Sequence, residues 1–250
     1  MPFRRYHNDE MSSVPVVKSS GGRVLRAALP LCLCVFVVSL ALLLTACGSK
    51  LPKLRQQLND PEPDRRIAAI QALTVAKDTA SVPTISDLLR DSVPDVRKAA
   101  AAGLGIIGDT RACRPLADLF DSEQQEDIQG AAIRSLVHLG TGSVQPLIGL
   151  LRSSRPAVRG GAAHALGKLK AKDAVDPLIR LLRDRDPEVQ KAAIVGLRQI
   201  GDSRGLDAIA STVQDSDQEV EREAERALSG EGYQEQLNKA KRKIRQLPYP

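Results

Sequence analysis

The chain has 250 residues, of which 42% are apolar and only 2% are aromatic, and it contains no Trp. A core filled by Leu, Ile, Val and Ala favours closely packed helices over a β-sandwich or an α/β sheet, which usually place aromatic side chains in the core. The net charge of +6 is too small to indicate nucleic-acid binding, and a single cysteine after Cys47 cannot build a disulfide framework or a metal cluster.

The first element is an uncharged stretch of 20 residues from Ala27 to Ala46, which follows Arg23 and Arg26. A stretch of this length can span a bilayer as a helix, and a basic flank before an apolar run is also typical of a secretory signal. The leader is long when it is counted from Met1, and a start at Met11 gives a more usual length. Either start predicts that the rest of the chain is exported, with the positive charge left inside.

The apolar stretch ends in Leu44, Thr45, Ala46 and Cys47. This ending resembles the lipobox of bacterial lipoproteins, in which the cysteine thiol is acylated and the leader is cut before it. The resemblance implies a signal peptide at 1–46 and an acylated Cys47 that opens a tether at 47–50. Several acyl chains then anchor the chain firmly, on the periplasmic side of the inner or outer membrane or at the cell surface. An uncleaved anchor and a buried helix are the alternatives.

The body of the chain repeats a pattern with a period of about 31 residues. Each copy contains an apolar segment that opens near a proline, which the first turn of a helix tolerates because the missing N–H would be unpaired there. These prolines are Pro83, Pro115, Pro146 and Pro177, and Ala208 takes the next place. The pattern predicts the first helix of a two-helix unit.

A second apolar pattern follows twelve or thirteen residues later, after a polar residue and usually a proline. Its apolar residues recur at helical offsets from a first residue that is Val96, Ile128, Val158, Val189 or Val220. Gly108, Gly140 and Gly201 follow, where a left-handed helix end favours glycine. Small residues at offset 7 predict close approach between helices, and they are Gly103, Ser135, Ala165, Gly196 and Ala227.

These patterns resemble HEAT repeats, and in particular the short HEAT-like repeats of phycobilin lyase-related proteins. The resemblance implies an all-α fold, an α-solenoid of about six two-helix repeats over residues 51–230. The copy at 51–73 has Arg65 at the position of the first apolar residue, and we interpret it as a capping repeat, because one face of a terminal repeat meets water. Residues 231–250 are predicted to form a polar C-terminal helix or tail.

Two glycine motifs resemble nucleotide sites without fitting them. The run from Gly103 to Gly108 matches a dinucleotide-binding fingerprint, but it follows a predicted helix rather than a strand, and its glycines recur at repeat positions. The run from Gly161 to Lys168 resembles a phosphate-binding loop with the wrong spacing, and Leu169 replaces the hydroxyl residue that would hold magnesium. We therefore predict no nucleotide cofactor.

The histidines and the body cysteine do not indicate catalysis either. His138 and His164 lack the adjacent glutamates that hold iron in the HEAT-like metal oxygenases, so we predict surface histidines and no metal site. Cys113 lies beside Arg111 and Arg114, which could lower a thiol pKa, but no partner residue is near in sequence. We predict a packing residue, no catalytic residues and no enzymatic activity.

In HEAT-like solenoids the second helices line the concave surface. Offsets 2, 6 and 10 from the first apolar residue lie on one stripe of each second helix, and no Asp or Glu occupies them in the five regular repeats. Their basic residues and histidines are Lys98, Arg134, His138, His164, Lys168, Lys191, Arg222 and Arg226. We predict a groove for an acidic peptide, a protein loop or another anion. A solvated face with a chance bias is the alternative.

Taken together, the patterns predict a non-enzymatic protein–protein interaction scaffold, anchored through the lipid on Cys47, with a protein or peptide partner and without nucleic acid. Two alternatives remain open. The repeat resemblance permits an enzyme or chaperone of the phycobilin lyase type, and an anchored solenoid also suits a structural subunit of an envelope complex.

Overall fold

The computed structural model describes residues 50–212, 218–229 and 238. The chain divides into two units, residues 1–47 and 48–250, and the described residues all belong to the second. The predicted signal peptide at 1–46, the lipobox, Cys47 and nearly all of the predicted C-terminal helix lie outside them. No helix among the described residues is both long enough and apolar enough to cross a membrane.

Over the described ranges the fold is an α-solenoid of six successive helix pairs, as predicted, without strands. The first helices of the pairs are α1 (Leu51–Gln57), α3 (Val82–Asp87), α5 (Cys113–Ser122), α7 (Val144–Leu150), α9 (Val175–Leu181) and α11 (Ser203–Thr212). The second helices are α2 (Pro63–Val75), α4 (Pro94–Ile107), α6 (Glu126–Leu139), α8 (Pro156–Lys168), α10 (Pro187–Ile200) and α12 (Gln218–Leu228). Each second helix packs against the second helix of the next repeat and against its own first helix.

Proline and glycine set the ends of several second helices. Pro94 opens α4, and the residue before it is extended, because the proline ring disfavours a helical conformation there. Gly108 and Gly201 end α4 and α10 in the left-handed region with φ of 84° and 73°, as predicted. The prediction is wrong for Gly140 after α6, which combines a φ of 70° with a ψ of -135° outside the left-handed helical region. Lys77 and Lys170 have positive φ after α2 and α8, so an L-residue adopts the glycine conformation at two repeat ends.

The first apolar residue of each second helix from α4 to α12 is buried in the core. Val96, Ile128, Val158 and Val220 are fully buried, and Val189 is 1% exposed. Because each second helix contributes one stripe, the core continues from repeat to repeat and depends on contacts between neighbours.

The small residues at offset 7 bring backbones together, as predicted. A Cβ added to Gly196 of α10 would lie 2.8 Å from the carbonyl oxygen of Ala163 in α8. Between α6 and α4 the Ser135 hydroxyl donates a hydrogen bond of 2.8 Å to the Ala101 carbonyl oxygen. Larger side chains at these positions would separate the second helices.

The one aromatic side chain in the described core has a matching glycine. Phe120 of α5 is 5% exposed, and a Cβ added to Gly161 of α8 would lie 2.7 Å from its ring. The corresponding residues of neighbouring repeats, which lie just after α3, α7 and α9, are Leu89, Leu151 and Leu182. The glycine at 161 therefore accommodates a ring at a position where neighbouring repeats have leucine.

Candidate functional site

All eight residues of the predicted groove lie on second helices, on α4, α6, α8, α10 and α12. We call the surface formed by offsets 2, 6 and 10 of these helices and of α2 the second-helix face. Seven of the eight side chains are exposed and Lys191 is half-buried. The surface is therefore accessible, but the charges on it are not equivalent.

Lys98 is neutralised by a residue from the next repeat. Its Nζ lies 2.7 Å from Oδ2 of Asp127, in the first turn of α6. The hydrogen bond from Lys98 holds the pKa of Asp127 below its usual value, so both groups are charged at neutral pH. A partner would have to compete with Asp127 for this lysine.

Two of the three basic residues at the C-terminal end of the face, Lys191 and Arg226, are neutralised in a similar way. Lys191 lies 2.6 Å from Glu188 of its own helix and 3.2 Å from Glu219 of α12. Hydrogen bonds from Lys191 to the two glutamates raise its pKa. Arg226 pairs with Glu223 at 3.0 Å. The acidic partners lie outside the stripe that the sequence pattern identified, which is why that stripe contains no carboxylate.

The middle of the face keeps its positive charge. We call Arg134 and His138 of α6 together with His164 and Lys168 of α8 the central patch. Among the described residues, Arg134 and Lys168 form no ion pair, as is also true of Arg222 on α12. Helix α8 contains no Asp or Glu, and α6 has its two acidic residues in the first turn. Two free cations on neighbouring helices are thus available to an anion.

The two histidines of the central patch differ in their surroundings. The Nδ1–H of His138 donates a hydrogen bond of 2.9 Å to the Gly105 carbonyl oxygen of α4. Although the residue is exposed, loss of hydration on the side of the ring that faces α8, followed by the charge of Lys168 one turn away, lowers the pKa of His164 from its ordinary value. His164 is therefore neutral at pH 7, and the positive charge of the patch comes from Arg134 and Lys168.

Small residues flatten the surface around these charges. Ala102 and Gly160 occupy stripe positions on α4 and α8, and Gly130 does so on α6. The Nη1 atom of Arg134 lies 2.9 Å from where a Cβ on Gly130 would be, so the guanidinium lies along α6 over that glycine. A partner backbone can approach closely where no side chain projects.

Apolar side chains adjoin the patch on its N-terminal side. Ile106 of α4 is 54% exposed and Val75 of α2 is 85% exposed. Both occupy offset 10, the position that is His138 in α6 and Lys168 in α8. The sequence pattern did not mark Val75 because the first copy is irregular, although counting ten residues from Arg65 identifies it.

A second set of arginines, one residue after the first apolar position, is not part of this surface. Arg159 of α8 makes two hydrogen bonds to Asp184 of the next repeat, of 2.8 and 2.7 Å, and both side chains are mostly buried. Equivalent pairs join Arg66 to Asp91 and Arg97 to Glu123. The sequence pattern contains these arginines, but nothing in it indicated their partners, which lie 25 or 26 residues further along the chain.

The two glycine motifs and Cys113 take part in helix packing. The glycine runs 103–108 and 161–168 lie in α4 with its cap and in α8, where they permit helix packing. Cys113 is 3% exposed, and the Ser143 hydroxyl donates to its Sγ at 3.3 Å. Within the described ranges no group of three or more His, Cys, Asp or Glu side chains could hold a metal ion.

Comparisons with known proteins agree on the repeat type. A family model described as HEAT repeats matches residues 51–137 and 144–229. No curated protein sequence matches the chain.

Several solved structures are similar to this chain. A chain from a study of microtubule plus end tracking by XMAP215, CLIP-170 and EB1 has a TM-score of 0.56 at 14% identity, covering 70% of this chain and 88% of that chain. The complex of CpcE and CpcF of phycocyanin lyase from Nostoc sp. gives 0.44 at 22% identity, with 72% and 76% covered. A designed armadillo repeat protein in complex with the peptide (KR)4 gives 0.42 at 20% identity, with 72% and 98% covered. At 14% identity the similarity to the first of these concerns the fold alone.

Proposed function

Because the chain belongs to the HEAT-repeat family, we propose that it is a non-enzymatic interaction scaffold that binds an acidic protein segment on its second-helix face. We further propose that acylation of Cys47 holds it at a membrane outside the cytoplasm. The observation that carries the binding proposal is the central patch, where Arg134 and Lys168 stay exposed and unpaired among the described residues while Lys98 and Lys191 beside them are neutralised.

Charge and geometry both support this partner class. Exposed cations that lack a protein partner attract a carboxylate without first breaking an ion pair, and complementary charge raises association rates and selectivity. The second helices of a repeat solenoid together form an extended surface, and such surfaces suit extended segments better than small molecules. The patch spans two neighbouring helices, which fits several carboxylates in one segment.

The binding proposal is tested with a fluorescein-labelled oligoglutamate peptide and full-length chain in detergent. Arg134→Glu with Lys168→Glu should weaken binding about tenfold or more, because like charges then face each other. Raising the salt concentration should weaken wild-type binding in the same direction. A matched control exchanges two exposed arginines away from the second helices, Arg152→Glu with Arg180→Glu, and should bind like wild type. Equal loss in both double variants would contradict a localised patch.

A pull-down from cell envelope with mass spectrometry, using the same two double variants, separates the proposal from the structural-subunit alternative. A partner that wild type and the control retain, and that the patch variant loses, supports binding through the central patch. Retention by all three indicates assembly through another surface. Absorption spectroscopy of the native protein tests the lyase-like alternative, since a bound chromophore would show there.

The anchoring proposal rests on the apolar leader and the lipobox, which lie outside the described residues. Cys47→Ser removes the thiol that would be acylated, so the chain should no longer incorporate labelled fatty acid or sediment with membranes. Cys113→Ser is the matched control, because this buried thiol has no role in acylation. Unchanged membrane association of Cys47→Ser would favour an uncleaved anchor instead.

A further inference from the structure

The exposed apolar side chains share one line across the second helices with His138 and Lys168 of the central patch, and Arg134 lies one turn before His138. At offset 10, successive second helices carry Val75, Ile106, His138, Lys168 and Gln199. The order along α2, α4, α6 and α8 is therefore valine, isoleucine, histidine and lysine, and Arg134 adds the positive charge on α6 one turn away from the line. The face changes character from one end of the solenoid toward its middle.

Exposed large apolar side chains such as those at this end of the face are rare among the described residues. Val75 and Ile106 are its exposed large hydrophobic side chains over the described residues, and they occupy equivalent places on adjacent repeats. Large apolar side chains elsewhere at helix positions are buried or half-buried. Two such residues side by side, with Ala102 on the same stripe, form a small apolar contact surface that continues into the central patch.

Building on the proposed function, we infer that the partner segment is bipartite: an extended stretch with apolar residues at one end, seated on Val75 and Ile106, and acidic residues at the other, seated on Arg134 and Lys168. The segment lies across the helices rather than along one of them. Its apolar end covers α2 and α4, and its acidic end covers α6 and α8.

The spacing of the helices sets the spacing in the partner. Packed helices lie about 8–10 Å apart, and an extended chain rises about 3.3 Å per residue. One repeat therefore corresponds to about three residues of the partner, and four second helices correspond to about twelve residues. The expected pattern has two apolar residues about three apart, then two acidic residues at the same interval.

Charge argues against a second copy of this chain as the occupant. The described second-helix face is basic or neutral in its middle, and the chain has more Lys and Arg than Asp and Glu, 36 against 30. A second copy would bring like charge to the central patch. An acidic partner removes the repulsion and matches the two free cations.

The test uses a displayed library of random twelve-residue peptides, selected against full-length chain in detergent. Wild type should enrich peptides with the apolar–acidic order at about three-residue intervals. Val75→Ser with Ile106→Ser should keep the acidic requirement and lose the apolar one. Arg134→Gln with Lys168→Gln should lose the acidic requirement. Enrichment of acidic peptides without any apolar requirement in wild type would overturn the inference and leave the proposed function standing.

A second measurement follows one enriched peptide by fluorescence anisotropy. Val75→Ser with Ile106→Ser should weaken binding about tenfold or more with little change in salt dependence, because the lost contact is apolar. Arg134→Gln with Lys168→Gln should remove most of the salt dependence. Val75→Leu with Ile106→Leu should bind the peptide more tightly than the serine variant does, because apolar contact is kept. A purely structural role of the two residues in α2 and α4 would not require this recovery.

The two proposals fail in different ways. No change on loss of Arg134 and Lys168 overturns the proposed function, and the bipartite partner with it. If the loss of Arg134 and Lys168 weakens binding as expected, but the Val75 and Ile106 serine variant binds unchanged, only the bipartite partner is overturned. Dimers of wild type in sedimentation that the serine variant does not form would assign the apolar pair to self-association and also overturn it.

Discussion

At the scale of single residues, the arginine that follows the first apolar position joins neighbouring repeats. Arg97 illustrates the arrangement: its Nε is 2.7 Å from Glu123 of the next repeat, and its Nη1 donates to the carbonyl oxygen of Asp91 in its own loop. Where this residue is Gln129, the acidic position of the next repeat holds Ser153. Among the described residues, Arg66, Arg97 and Arg159 each meet a carboxylate of the next repeat.

Removing such an arginine should destabilise the solenoid strongly. Arg159→Ala leaves Asp184 mostly buried and unpaired, and breaking a buried pair typically costs about 3–5 kcal/mol. Urea denaturation followed by circular dichroism measures the loss. Arg114→Ala is the control, because the exposed pair of Arg114 with Asp118 should contribute little. A similar small effect at both positions would show that the buried pair contributes no more than an exposed one.

The same pairs predict a loss of stability in acid. The hydrogen bond from Arg97 holds the pKa of Glu123 below its usual value of 4.5, although burial opposes it. A carboxyl group with a lowered folded-state pKa stabilises the fold above its unfolded pKa, and this contribution is lost as pH falls through the folded value. Wild type should therefore lose stability from about pH 5 downward. Glu123→Gln should start less stable at pH 7 and lose less over the same range, as thermal melts at a series of pH values would show.

At the scale of helices, close crossings explain why several second-helix positions are small. Gly196 faces the backbone of α8, whereas Gly149, near the end of α7, is exposed and would meet nothing within 4 Å. The two positions are glycine for different reasons. The first permits contact between repeats, and the second only lowers the helix propensity of α7.

Alanine substitutions should therefore have opposite signs at these two positions. Gly196→Ala places a Cβ against a carbonyl oxygen and should destabilise by about 1–3 kcal/mol, as overpacking does. Gly149→Ala should stabilise by about 0.5–1 kcal/mol, because alanine has less backbone entropy to lose in a helix. Urea midpoints of the two variants, measured together, test the difference. A neutral Gly196→Ala would show that α8 and α10 can move apart freely.

At the scale of the whole molecule, contacts between adjacent repeats make stability local. The strain introduced by Gly196→Ala lies between α8 and α10. Amide hydrogen exchange should therefore speed up in α8 and α10 while α2 and α4 keep most of their protection. Uniform loss of protection over the described helices would instead indicate a single cooperative unit.

The sequence by itself determined the architecture, because the residues that define each helix of a repeat lie close together in the chain. Pro94 and Gly108 bound α4 through backbone sterics, and Val96 and its equivalents mark the buried stripe through helical periodicity. The exposed positions of Arg134 and Lys168 follow from the same periodicity. None of these inferences needed a contact between distant residues.

Only the tertiary structure decided which charges on the second-helix face are free. Lys98 and Arg134 look alike in the stripe, yet packing brings Asp127 of the next repeat to Lys98 and leaves Arg134 without an ion-pair partner among the described residues. The match of Phe120 with Gly161 depends on the same kind of contact. Residues about one repeat apart meet because the helices stack, and no local pattern encodes which residues meet. The sequence therefore predicted a basic stripe, and the fold left only Arg134, Lys168 and Arg222 of its Lys and Arg residues without an ion-pair partner among the described residues.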